Sequence, residues 1–168
     1  EMSANSAKIL HQLVSDHRIK DIDHWIAKYP ADQKQSAVMS ALRIVQEEHG
    51  HLTTELMDAI ADYLDMPSIA VYEVASFYTM YEHKQIGRHS INVCTNISCM
   101  SRDSAVVVEH LEKKLGIKLG ETTDDGRFTL RPVECLGACV NAPMMQVDKD
   151  YHENLTPESI DKVLEQYQ

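Results

Sequence analysis

The chain has little cysteine, no basic cluster and no long apolar run, and each shortage removes a class of function. No block of Lys and Arg interrupts an acidic surface of formal net charge −10. The imbalance runs through both halves, with 7 basic and 13 acidic residues up to Gly87 and 9 and 13 from Arg88 onward. Nucleic acid and anionic lipid would both be repelled by such a surface. No apolar stretch approaches the length needed to span a bilayer. The opening EMSANSAKILHQLVS lacks the apolar core of a secretory signal. There is no Gly-rich dinucleotide fingerprint and no phosphate loop, so nucleotide chemistry is not expected on this chain. Internal repeats and low-complexity segments are also missing. What remains, 168 residues with 43% hydrophobic and 25% charged content, reads as one globular domain or two small ones.

The four cysteines form two close pairs, Cys94 with Cys99 in VCTNISCM and Cys135 with Cys139 in VECLGACVNAPMM. Random placement of buried cysteines rarely leaves such pairs and no others. Disulfide staples are unnecessary in a chain long enough for a real core. Dithiol exchange typically uses Cys-x-x-Cys, which neither pair matches. Two metal readings remain. A [2Fe–2S] cluster takes two thiolates on each iron, and each pair can serve one iron. A structural zinc takes four sulfurs around one ion; the second pair suits it, whereas the four-residue gap of the first suits it less. Spacing favours iron–sulfur without completing the identification. None of the nine histidines falls inside either cysteine loop, and His49-Gly50-His51 reads as a helix end rather than a ligand pair.

The first half reads as four or five short amphipathic helices. Ile9, Leu10, Leu13 and Val14 repeat at helical spacing, and a segment with Trp25 and Ile26 stops near Pro30. Asp32 is a candidate N-cap for a helix burying Ala37, Val38, Ala41, Leu42 and Val45 and ending near Gly50. Thr53 caps a helix with Leu56, Met57, Ile60, Ala61 and Leu64 inward. Pro67 suits the first turn of another, with Val71, Val74, Ala75 and Tyr78 inward. In VYEVASFYTMY, Tyr72 and Phe77 read as core, and Tyr78, Met80 and Tyr81 as candidates for a partner surface. The pattern changes near Gly87. SINVCT alternates as a strand ending at Cys94. A helix with Val107, Val108, Leu111 and Leu115 stops at Gly116. FTLRPVE and MMQVD are further strands, Tyr151 to Asn154 a short fourth, and Thr156-Pro157-Glu158 opens a last helix. The expected fold is α+β, a helical bundle over 1–87 and a domain with a small mixed sheet over 88–168. Both cysteine pairs would then sit in loops at strand ends.

Taken together, HLTTELMDAIADYL, VYEVASFYTMY, INVCTNISCM, VECLGACVNAPMMQV and NLTPESIDKVL resemble the small iron–sulfur subunit of the NADH-oxidising module of respiratory NADH:quinone oxidoreductase. Related subunits occur in NAD-linked hydrogenases and formate dehydrogenases. The resemblance implies a thioredoxin-like ferredoxin domain holding one [2Fe–2S] cluster, with Cys94, Cys99, Cys135 and Cys139 as its ligands. It implies a partner subunit carrying FMN and the NADH site, and further peripheral-arm subunits. The expected location is the cytoplasmic side of a bacterial inner membrane, peripheral through the complex and without membrane insertion, with the mitochondrial matrix side as the secondary alternative. Gly137 and Ala138 are small enough to bring backbone N–H groups to the sulfurs, and Thr95 and Ser98 are candidate donors in the first loop. A cis Ala142–Pro143 bond is expected before the MMQVD strand. Two rival functions are a zinc-stapled interaction protein and a thiol oxidoreductase.

Overall fold

The computed structural model describes residues 9–167. They divide into two compact units between Gln85 and Ile86, each with its own buried apolar cluster.

The first unit is helical. Residues 9–13 are helical, followed by α1 (Asp16–Ile26), a 3₁₀ run (Ala31–Ala37), α2 (Val38–His49), α3 (Thr54–Leu64) and α4 (Ser68–Phe77). Leu10, Ile22, Leu42, Ile44, Ile60 and Leu64 are among its fully buried side chains. Truncating one of them to Ala would cost about 2–5 kcal/mol. Gly50 ends α2 in the left-handed region at φ +80°, as the His-Gly-His step implies. The Thr53 hydroxyl accepts the Leu56 N–H at 3.2 Å, which makes Thr53 the expected cap of α3.

Several expectations in this half are corrected. Asp32 does not cap an α-helix: it lies within the 3₁₀ run, and Gln33 at φ −118° breaks regular geometry before α2 begins at Val38. Pro67 is the N-cap of α4 rather than part of its first turn. Phe77 is not core, being 77% exposed at the last turn of α4. Tyr78, expected to face inward with Val71 and Ala75, is also exposed, because α4 ends at Phe77 and the chain turns extended at Tyr78. Met80 is exposed as well, whereas Tyr81 is buried and donates to the Met39 carbonyl at 3.0 Å. Of the three aromatic and Met candidates for a surface, Tyr81 therefore drops out.

The second unit is α+β. Its elements are β1 (His89–Cys94), the single-turn α5 (Ile97–Met100), α6 (Ser104–Leu115), β2 (Phe128–Val133), a 3₁₀ turn (Cys139–Asn141), β3 (Met145–Val147), β4 (Asp150–His152) and α7 (Pro157–Leu164). The sheet order is β2-β1-β3-β4. β1 runs parallel to β2, and α6 lies in the crossover that a parallel pair requires. β1–β3 and β3–β4 are antiparallel. Ile91, Val93, Phe128, Leu130, Met145 and Val147 join Val107 and Leu111 of α6 and Ile160, Val163 and Leu164 of α7 in one core. β4 starts one residue before Tyr151, and Asn154 has turned into the left-handed region at φ +49°. α7 opens as Thr156-Pro157 implies, with a capping box in which Thr156 and Ser159 bond reciprocally.

Candidate functional site

Strand alternation sets the site at the top of β1. Ile91 and Val93 enter the core beneath α6 and α7, so Cys94, one residue on, leaves that core and joins a separate small cluster with Cys99, Ala142 and Met144. The chain then turns sharply. The Asn96 side chain accepts the Ile97 N–H at 2.6 Å and starts the single turn α5. That turn carries Cys99 back beside Cys94, and both thiols are buried. The Cys94 N–H donates to the Met144 carbonyl at 3.3 Å, which ties the end of β1 to the chain before β3. Thr95 does not serve the sulfurs. Its hydroxyl and its N–H both donate to the Val133 carbonyl, at 3.4 and 3.1 Å, and so knit the first loop to the end of β2.

The second loop leaves β2 at Val133, the residue in register with Cys94. Cys135 and Cys139 are exposed. Gly137 stands at φ +78° with open space where a Cβ would be. The Gly137 N–H donates to the Cys135 sulfur at 3.3 Å, the backbone approach expected of a glycine between the pair. Cys139 opens the 3₁₀ turn that leads to a cis Ala142–Pro143 bond.

Burial pushes the Cys99 thiol up to about 11, and its hydrogen bond to Cys94 adds to the push, with a smaller contribution from Cys139. The structure thus brings Cys94 and Cys99 together, sets Cys139 within electrostatic reach and leaves Cys135 on the solvent side. Among the described residues, no three His, Cys, Asp or Glu side chains converge as ligands of a single ion. The four thiols still fit a two-iron group in kind. Their loops adjoin at neighbouring strand ends, and one backbone N–H is already aimed at a sulfur. Residues that spacing alone does not single out are Asn96, which starts the turn carrying Cys99, and Tyr151, whose hydroxyl donates to the Leu136 carbonyl inside the second loop at 2.7 Å.

The chain belongs to the thioredoxin-like [2Fe–2S] ferredoxin family, whose model matches residues 22–168, and its cofactor is one [2Fe–2S] cluster. It is 47% identical over 148 residues to an E-type subunit of the NADH-quinone oxidoreductase of Rhizobium meliloti (strain 1021), a match covering 88% of this chain and 87% of that one. It is 45% identical over 143 residues to the E-type subunit of the NADH-quinone oxidoreductase of Rickettsia felis (strain ATCC VR-1525 / URRWXCal2), covering 84% and 86%. A solved NAD+-reducing [NiFe]-hydrogenase shares the fold at TM-score 0.65 and 20% identity. That match covers 76% of this chain and 22% of the hydrogenase chain.

Proposed function

We propose that this protein is an electron-transfer subunit of an NADH:quinone oxidoreductase, with Cys94, Cys99, Cys135 and Cys139 as the ligands of its cluster. The observation that carries the reading is the pairing of one buried and one exposed set of thiols on loops at adjoining strand ends. Two thiols per loop suit two irons, whereas a lone zinc would need at least three ligands gathered at one point. The relatives above 40% identity are subunits of NADH-quinone oxidoreductase, which supports the parent assembly.

A bound [2Fe–2S] cluster supplies the capacity to take up and return single electrons. The chain's own residues provide the rest. Cys94 and Cys99, with Ala142 and Met144 against them, keep water from one side of the site. Cys135 and Cys139 keep the other side open. Around that opening the two loops expose Ile97, Met100 and Val140, and apolar side chains held out to water suit a surface that a partner covers. In this reading the partner is the subunit carrying FMN and the NADH site, joined by other subunits of the peripheral arm. The protein then sits at the cytoplasmic face of a bacterial membrane, or the matrix face in mitochondria, through the complex. Among the described residues no helix is long and apolar enough to cross a membrane.

Iron and acid-labile sulfide analysis of the purified full chain tests the ligand assignment. Two irons and two sulfides per chain, with a paramagnetic signal on one-electron reduction, are expected. Stoichiometric zinc, or no metal, would end this reading. Copurification with the flavoprotein tests the assembly separately.

A further inference from the structure

The solvent-side cysteine loop is gripped from outside by β4. The Tyr151 hydroxyl donates to the Leu136 carbonyl at 2.7 Å, from 15 residues away in the chain. The Leu136 carbonyl and the Gly137 N–H belong to one planar trans peptide, so they point in opposite directions. The N–H end of that peptide donates to the Cys135 sulfur at 3.3 Å. Hydroxyl, peptide and sulfur therefore form one continuous hydrogen-bonded chain. Gly137 offers little steric resistance to rotation of this peptide, because it has no Cβ and nothing within 4 Å of where one would be. The far end of the loop has separate anchors: the Asn141 amide donates to Glu153 at 2.7 Å, and the Asn154 N–H donates to the Asn141 carbonyl at 2.8 Å. The near end has Tyr151.

We infer that Tyr151 is a positioning residue that sets the reduction potential of the cluster by holding the Leu136–Gly137 peptide with its N–H on Cys135. The inference rests on the proposed role of Cys135 as a ligand. An N–H directed at a ligand sulfur stabilises the extra negative charge of the reduced state and raises the potential. A peptide whose carbonyl already accepts a hydrogen bond is the stronger donor at its N–H.

The test compares the full chain with Tyr151→Phe, which keeps the ring and removes the hydroxyl. Iron and sulfide are measured first, then the potential by a redox titration followed by electron paramagnetic resonance. The coupling of exchangeable protons to the reduced cluster is measured in H₂O and D₂O. Tyr167→Phe is the control for a general disturbance of β4, since its hydroxyl bonds Asp150 at 3.2 Å and His152 at 3.1 Å, on either side of Tyr151, rather than the Leu136 carbonyl. Expected are equal loading and one-electron reduction less favourable by up to about tenfold in Tyr151→Phe, tenfold being about 59 mV. One exchangeable-proton coupling should weaken, and Tyr167→Phe should match the wild type. An unchanged or raised potential at equal loading overturns the inference, and so does a Tyr151→Phe chain that loads no cluster. A wild-type chain without two irons would instead remove the ligand assignment beneath it.

Discussion

Cys94 and Val133 stand opposite each other across the parallel β1–β2 pair. The first cysteine loop therefore begins level with the end of the strand that delivers the second. Parallel pairing places the loops that carry Cys94 and Cys135, about forty residues apart in the chain, at adjoining strand ends.

That arrangement makes the cysteines separable from the fold. Cys99→Ala should abolish iron binding, and the far-ultraviolet circular dichroism should stay that of the parent. The side chain packs in a small cluster apart from the main core of its unit. A variant that retains two irons and two sulfides would remove Cys99 from the ligand set.

Two glycines respond differently to alanine. At Gly137 the space is open but φ is +78°, so Gly137→Ala costs only backbone strain, about 1–2 kcal/mol. At Gly87 a new Cβ would stand 2.8 Å from the Phe128 backbone carbon. Its N–H also donates to the Thr129 hydroxyl at 2.7 Å. Neither backbone can yield without disturbing the start of β2, and the expected cost is about 1–3 kcal/mol or more. Denaturant melts should rank Gly87→Ala as the more damaging if this packing is right.

Helix caps carry measurable stability in each unit. Thr53→Ala removes the acceptor of the Leu56 N–H, and Thr156→Ala dismantles the capping box of α7. Each should lower stability by about 1 kcal/mol. Serine at either position should restore most of the loss in the same melts.

Acid sensitivity should trace in part to Asp161. His110, at 2.9 Å, and then Lys114, at 3.3 Å, hold its carboxyl below the usual carboxylate range, linking α7 to α6. A depressed carboxylate contributes stability that is complete above the unfolded value of about 4 and is lost as pH falls through the lower folded value. Asp161→Asn should therefore flatten the dependence of stability on pH below about pH 4.5. Melts across that range that stay parallel to the wild type would contradict it.

The exposed end of α4 should be dispensable for folding. Phe77→Ser should change stability by less than about 0.5 kcal/mol, whereas Ile60→Ala, with no exposure at all, should cost about 2–5 kcal/mol. Strong destabilisation by Phe77→Ser would show the ring to be packed after all.

Strictly local features could be read along the chain. Those are the strands ending at Cys94 and before Cys135, the stops at Gly50 and Gly116, the caps at Thr53 and Thr156, and the paired thiols. Each depends on residues within a turn or two, where alternation, positive φ and hydroxyl capping act directly. The same local logic failed at Asp32, where a 3₁₀ run displaced the helix start, and at Phe77, whose helical spacing gave no sign that its side would lie uncovered. Long-range packing selected the order β2-β1-β3-β4, the burial of one pair of thiols and the exposure of the other, and the grip of Tyr151 on the second loop. These depend on which distant segments meet, and hydrophobic periodicity tells which face a residue shares without telling what covers it.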